Sequence, residues 1–336
     1  MGKTCSSIMA RIHLRISPLV GYLLALAFYS SMMFLSAISE KENTDSFSLD
    51  SEEPAFVRSP KSSRSQSDHV ALRDANDFYV RISTLETKCR KMVRFGGTYC
   101  KGYLDNEKYV CLDDDVKPNS RNCTVYSFGV GADTTFDDMA SYYGCDIFMF
   151  DPTINGSELQ MTNSEREAFY PWGLSSFHYK QNFSIEYDGK PTEKLEGEFT
   201  TYGDIRKRLG HQKRDVNYLK LDIENMEWSV LPQLVKGGHL DRVSQLAIEV
   251  HTMDIIKASP EKVLPLLQSY WQILVSLKQL GFLRVSHRFN PVLETIYFDR
   301  AHNQSISTCM EILYVKRGFN RRRHLQSRLP LPEVPL

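Results

Sequence analysis

Apolar residues are distributed along this chain in three different ways. Residues 16–38 form an unbroken uncharged run, ISPLVGYLLALAFYSSMMFLSAI. At about 1.5 Å per residue a helix of that length spans roughly 35 Å, enough for a hydrocarbon core of about 30 Å. Residues 39–69 have no apolar periodicity. They are rich in Ser and charge and contain Pro54 and Pro60, the composition of a flexible stem. Apolar residues return at Ala71, Ala75, Phe78, Ile82, Leu85, Cys89 and Met92, spaced alternately four and three. That spacing predicts an amphipathic helix packed on the following domain. A coiled coil is disfavoured because three heptads without strong Leu or Ile at each site are marginal.

From Cys123 onward the pattern becomes strand, loop and helix, repeated. Residues 124–128 read as an apolar strand ending in Gly129-Val130-Gly131. Asp133 or Thr134 can cap a helix carrying Phe136, Met139, Ala140 and Tyr143, closed by Gly144. Residues 145–150 read as a strand ending at Asp151-Pro152, and residues 216–221 as one ending at Asp222. A helix with Trp228, Leu231, Leu234 and Val235 follows, stopping at Gly237-Gly238; Pro232 within it predicts a late start or a kink. Residues 243–250 read as a strand ending at His251. Ser259 caps a long helix with Pro260 at its first position and Gly281 at its end. Residues 282–286 and 309–316 can pair as a closing hairpin. This alternation predicts an α/β fold, a doubly wound, mostly parallel sheet with helices on both faces. The expected organisation is a tail (1–15), a membrane-spanning signal anchor (16–38), a stem (39–69), a helical Cys-containing extension (70–122), the α/β domain (123–317) and a basic, Pro-rich tail (318–336).

Charge changes the picture locally. Lys+Arg and Asp+Glu are both 41 in 336 residues, so a whole-chain nucleic-acid binder is excluded from the expectation. Lys3, Arg11 and Arg15 precede the long apolar run, whereas Glu40, Glu42, Asp45, Asp50, Glu52 and Glu53 follow it against Lys41 alone. Positive-inside bias then predicts a single-pass type II membrane protein with its body in the lumen of the endoplasmic reticulum or Golgi. The alternative is a signal peptide cleaved near Ser36-Ala37-Ile38-Ser39 and a secreted product, although such peptides have apolar regions of only about 7–15 residues. Six Cys lie beyond the run (Cys89, Cys100, Cys111, Cys123, Cys145 and Cys309), an even number suited to disulfides, with the pairing open. Buried free thiol stays open for Cys145, within an apolar strand. Sequons stand at Asn122, Asn155, Asn182 and Asn303. Arg317, Arg321, Arg322, Arg323 and Arg328 read as a solvated tail rather than an anion-docking patch.

In an open parallel sheet, ligands bind beyond the carboxyl ends of the strands. Gly129, Gly131, Asp151, Asp222, Glu224, Glu249 and His251 fall at or just past such ends. The glycines permit close backbone approach, and Asp151 at the second strand end can accept the ribose hydroxyls of an adenosine cofactor. A dinucleotide favours a third Gly where Thr134 stands, so the pattern tilts from an oxidoreductase toward S-adenosylmethionine, which needs no pyrophosphate cradle. The expected cofactor-binding set is Phe128, Gly129, Gly131 and Asp151.

The stretches VYSFGVGADTTFDDMASYYGCDIFMFDPT, YLKLDIENMEWSVLPQLVKGGHLDRVSQLAIEVH and GFLRVSHRFNP…CMEILYVKR resemble the methyltransferase-like protein 24 family, related to the FkbM-type methyltransferases. The resemblance implies a class I, Rossmann-like methyltransferase fold with a seven-stranded sheet and an antiparallel final hairpin. It also implies S-adenosylmethionine as cofactor and methylation of a hydroxyl on a glycan or small molecule. Two departures stand out. Ser127 occupies the place where such enzymes carry an acid that steadies the methionine end, and Asn225 replaces a Gly after the fourth strand. Asn tolerates the left-handed conformation that such a turn needs.

O-methylation needs a base for the hydroxyl proton. His251, a strand-end imidazole expected to titrate near neutrality, is the first candidate; Asp222 and Glu224 follow as base or substrate-orienting carboxylates. Asp222 and Glu224 with a substrate diol suit a divalent cation, but two carboxylates do not establish one, so no metal is expected. Trp172, after the third strand, is placed by element order near the adenine edge. The rival from another class is a non-catalytic lumenal binding module, motivated by Ser127. Oligomeric state is not legible.

Overall fold

The computed structural model describes residues 71–320 apart from 101–102, 121, 132, 155, 157–158, 160, 164, 188–189 and 291–294. The expected anchor at 16–38, the stem and the last tail arginines lie outside the described residues. Among the described residues no helix is long and apolar enough to cross a membrane.

Helix α1 (Ala75–Ser83) begins the described chain, capped by Asp74, whose side chain accepts from the Asp77 amide. Strands β1 (Met92–Phe95), β2 (Thr98–Cys100), β3 (Tyr103–Asp105) and β4 (Lys108–Cys111) form a hairpin within a hairpin, β1 pairing with β4 and β2 with β3. The helix expected over 71–92 is therefore cut short. Thr84 turns extended, Leu85 is 51% exposed, and Met92 pairs with Cys111 across a ladder. Phe78 and Ile82 do pack inward, as the stripe required.

The α/β alternation follows: β5 (Cys123–Phe128), α2 (Thr135–Tyr142), β6 (Cys145–Phe150), β7 (Glu167–Tyr170), β8 (Trp172–Leu174), β9 (Tyr179–Tyr187), β10 (Lys190–Thr200), α3 (Tyr202–Arg208), β11 (Val216–Leu221) and α4 (Glu227–Lys236). The chain continues through β12 (Val243–His251), α5 (Asp254–Lys257), α6 (Pro260–Gln279), β13 (Phe282–Phe289), β14 (Ile296–Asp299), β15 (Gln304–Ser307) and β16 (Cys309–Lys316). Seven strands make the main sheet in the order β13-β16-β12-β11-β5-β6-β7. The ladders from β12 to β7 are parallel, and β16 runs antiparallel to both β12 and β13. The closing hairpin pairs as its sequence required. Strands β8, β10 and β9 form a separate three-stranded sheet inserted after β7. Helix α4 starts only at Glu227, so residues 222–226 form a loop at the end of β11, and Pro232 sits inside the helix.

Side-chain alternation assigns the two faces. Tyr126, Phe128, Phe150, Leu219, Leu221, Leu246 and Ile248 belong to one core with α3, α4 and α6. Val125, Ile147, Met149, Tyr218 and Ala247 belong to another with Phe136 and Ala140 of α2 and with Phe95 and Val110 of the hairpin. A β-hairpin thus covers part of a face that helices were expected to cover. The hairpin and the sheet belong to one compact unit.

Disulfides join Cys89 to Cys111 and Cys123 to Cys145. The second links directly paired residues at the start of β5 and β6, so Cys145 is not a free thiol. Cys309 is free and buried. Arg317 is not solvated: it pairs with Asp113 at 3.0 Å and Asp115 at 3.1 Å.

Candidate active site

The carboxyl ends of β5, β6, β11 and β12 meet at one edge of the sheet. Gly129 has φ +74°, and an added Cβ would lie 1.6 Å from the Asp222 carbonyl oxygen, so only glycine fits. Gly131 has φ +60° with nothing within 4 Å of an added Cβ, leaving the loop open on its outer side. Asp151 braces it: Oδ2 accepts from the Gly131 amide at 2.9 Å, and Oδ1 accepts from the Thr153 amide at 2.8 Å and hydroxyl at 2.6 Å. An open glycine turn braced by a strand-end carboxylate suits an adenosine cofactor without a pyrophosphate. Phe128, expected at the cofactor, turns its ring into the core. It is 1% exposed and stacks on Phe150 with centroids 4.5 Å apart; only its carbonyl reaches the loop, accepting from the Asp222 amide at 3.2 Å. Trp172 lies in β8 and stacks on Tyr170 at 4.8 Å, with the Arg208 guanidinium over its ring.

Beside the 129–131 loop lies a buried charge cluster. Lys108, projecting from β4, has its ammonium bonded to Glu311 and lies 3.7 Å from both Asp222 and Glu249. Lys220 bonds the Gly129 carbonyl and lies 3.6 Å from Asp222. The Asp222 and Glu249 carboxyls are close enough that each shifts the other. Burial, then the Glu249 charge, pushes the Asp222 carboxyl up to about 7 against the pull of Lys220 and Lys108. Burial would raise Glu249 too, but Lys108 and His251 hold it below the usual carboxylate range. Asp222 is thus the proton-carrying member of the pair. Burial pushes Glu311 up to about 8 despite Lys108.

His251 departs from expectation. It is 3% exposed, and its Nδ1 lies 3.1 Å from Oε1 of fully buried Glu227. Burial alone would lower its pKa, yet the Glu227 carboxylate raises it well above the usual imidazole value. The Glu227 carboxylate thus favours the protonated imidazole. Its Nε2 faces Glu224 Oε2 at 3.8 Å, and its carbonyl accepts from Trp228 Nε1 at 2.6 Å. Glu224 and Asn225 have φ of 51° and 74°, so Asn225 does adopt the left-handed conformation where a Gly was expected. That turn holds the exposed Glu224 carboxylate out over His251.

The donor atoms of Asp222, Glu224 and His251 lie within 4.8 Å of one another, as do those of Glu249, His251 and Cys309. The Lys108 ammonium already supplies positive charge beside Asp222 and Glu249. Lys108, Lys220 and Glu227 contact the candidate residues, Glu311 bonds Lys108, and all four were missed by sequence reasoning. A charged residue inside an otherwise apolar strand, as in YLKL and CMEILYVK, was the available signal.

The strand order and the strand-end site define a Rossmann-like α/β methyltransferase fold. The chain belongs to the methyltransferase domain family, which matches residues 48–316. It is 27% identical over 218 residues to "Probable methyltransferase-like protein 24" of Homo sapiens, covering 61% of this chain and 54% of that protein. The Rattus norvegicus protein of the same name is 28% identical over 183 residues, covering 53% and 47%. The resemblance read from the sequence holds, and the chain spans about half the length of these curated relatives. A fibrillarin pre-rRNA processing protein of Methanococcus jannaschii superposes with a TM-score of 0.33 at 11% identity, over 69% of this chain and 86% of its own. So loose a likeness adds no weight.

Proposed function

We propose that this protein methylates a hydroxyl of a glycan or small molecule in the secretory pathway, with S-adenosylmethionine as donor. The observation that carries the reading is Asp222: a carboxyl raised to about 7 whose own carbonyl abuts the 129–131 loop. A base works best with a pKa near the working pH. S-adenosylmethionine supplies an electrophilic methyl group on a sulfonium. The 129–131 loop and Asp151 would hold its adenosine. Asp222 takes the acceptor hydroxyl's proton, while protonated His251 holds Glu224 toward the acceptor. The first test is affinity. Asp151→Ala removes the brace on Gly131 and Thr153, and calorimetry should show donor binding weakened at least about tenfold, from bonds worth about 1.5–3 kcal/mol each. Equal affinity would put the cofactor elsewhere.

Two disulfides and exposed Asn122, Asn182 and Asn303 support an oxidising, glycosylating compartment. Glycosidase treatment of protein expressed in cells should lower its gel band. An unchanged band would remove the lumenal placement.

A further inference from the structure

Ser127 and Lys220 are directly opposed across the β5–β11 ladder, so their side chains share the face that α2 covers. The first turn of α2 brings Asp137 onto the same spot, 1% exposed. Ser127 Oγ and Asp137 Oδ1 are both buried, lie close to one another, and make no hydrogen bond of proper geometry. Lys220 draws on Asp137 electrostatically, but its ammonium is bonded to the carbonyl of Gly129, in the loop that would hold the donor. Burial pushes the Asp137 carboxyl up to about 6 with Lys220 pulling the other way, so it is ionised at neutral pH. A buried carboxylate with only the Ser127 hydroxyl beside it has room to accept a ligand that brings N–H donors and positive charge. Adenosine and thioether bring no such charge; an alkylammonium does.

We propose that Asp137 stands in for the acid absent at Ser127 and accepts the α-ammonium of the methyl donor's amino-acid end. The inference rests on the cofactor reading above. On this reading the acid comes from the helix after the glycine loop instead of from the strand before it. Asp137 is thus a cofactor-binding residue, and Ser127 marks a relocated acid, not a lost one.

The test is calorimetry on the full chain in detergent with two probes, S-adenosylhomocysteine and methylthioadenosine, which lacks the amino-acid end. Asp137→Asn should weaken S-adenosylhomocysteine by about tenfold or more and leave methylthioadenosine within about twofold. The exchange Ser127→Asp with Asp137→Ser keeps one buried acid at the spot. It should bind S-adenosylhomocysteine about tenfold more tightly than Asp137→Ser alone. Unchanged S-adenosylhomocysteine affinity in Asp137→Asn, an equal loss for both probes, or an exchange variant no better than Asp137→Ser would each overturn the assignment. A wild-type protein that binds neither probe would overturn the cofactor reading itself, and the assignment with it.

Discussion

Replacing Asp222 with Asn is expected to lower turnover about 10²–10⁴-fold, the usual worth of a positioned base, and to leave donor affinity close to wild type. Wild-type turnover should rise as pH is raised through about 7, because only the ionised Asp222 takes a proton and burial beside Glu249 holds its carboxyl there. Glu249 stays ionised across that range under the hold of Lys108 and His251, so the limb belongs to the proton on Asp222. The limb should be missing from the residual activity of Asp222→Asn. His251 makes a contrary forecast. Its pKa is well above the usual imidazole value, so a His251 base would place the limb higher. A pH–rate profile with labelled methyl donor decides between them. A limb that persists in Asp222→Asn and vanishes in His251→Gln would return the base to His251.

Strands β5, β6, β11 and β12 were legible because strands buried on both faces are continuous apolar runs, and each ended in a Gly, Asp or His that marked the ligand edge; β7, followed by Pro171, carried no such mark. Periodicity failed in the segment before them. The four–three spacing runs on past Ile82 by coincidence, and the chain leaves the helix at Thr84 to form a hairpin tied by Cys89–Cys111. Pairing and a disulfide with Cys111 outweighed local helical preference. The site was legible as positions but not as protonation states. Nothing near His251 in sequence announces that Glu227, 24 residues away, fixes its proton. Position at a strand end does not say which way a side chain points, and the Phe128 ring turns to the core. Lys108 was missed for the same kind of reason: its bonded partner Glu311 lies 203 residues on, and each looks like a solvated charge until the sheet brings them together.

Lys108→Ala should be the most destabilising of the site substitutions. It leaves Glu311 without its bonded cation and Asp222 and Glu249 with less neutralisation, all in the protein interior. Breaking a buried pair from one side costs about 3–5 kcal/mol because the remaining charge is uncompensated. The pH dependence has a definite sign. Lys108 has its pKa raised above 10.5, so in the wild type its contribution is fully present below that value and lost only at higher pH. In the variant, Glu311 and Asp222, already raised to about 8 and about 7 with the ammonium in place, are raised further. Proton uptake by the folded variant then relieves the repulsion, so the stability lost should be smaller at pH 5 than at pH 8. Denaturant unfolding of the oxidised protein at the two pH values measures this. Lys108→Met with Glu311→Leu, which removes the bonded pair together, should recover much of the loss. A single variant that loses under about 1 kcal/mol, equally at both pH values, would mean that Lys108 is solvated as surface ion pairs are. The same substitution reports on the chemistry. Lys108 pulls the Asp222 carboxyl down, so whatever activity Lys108→Ala retains should show its acid limb shifted to higher pH.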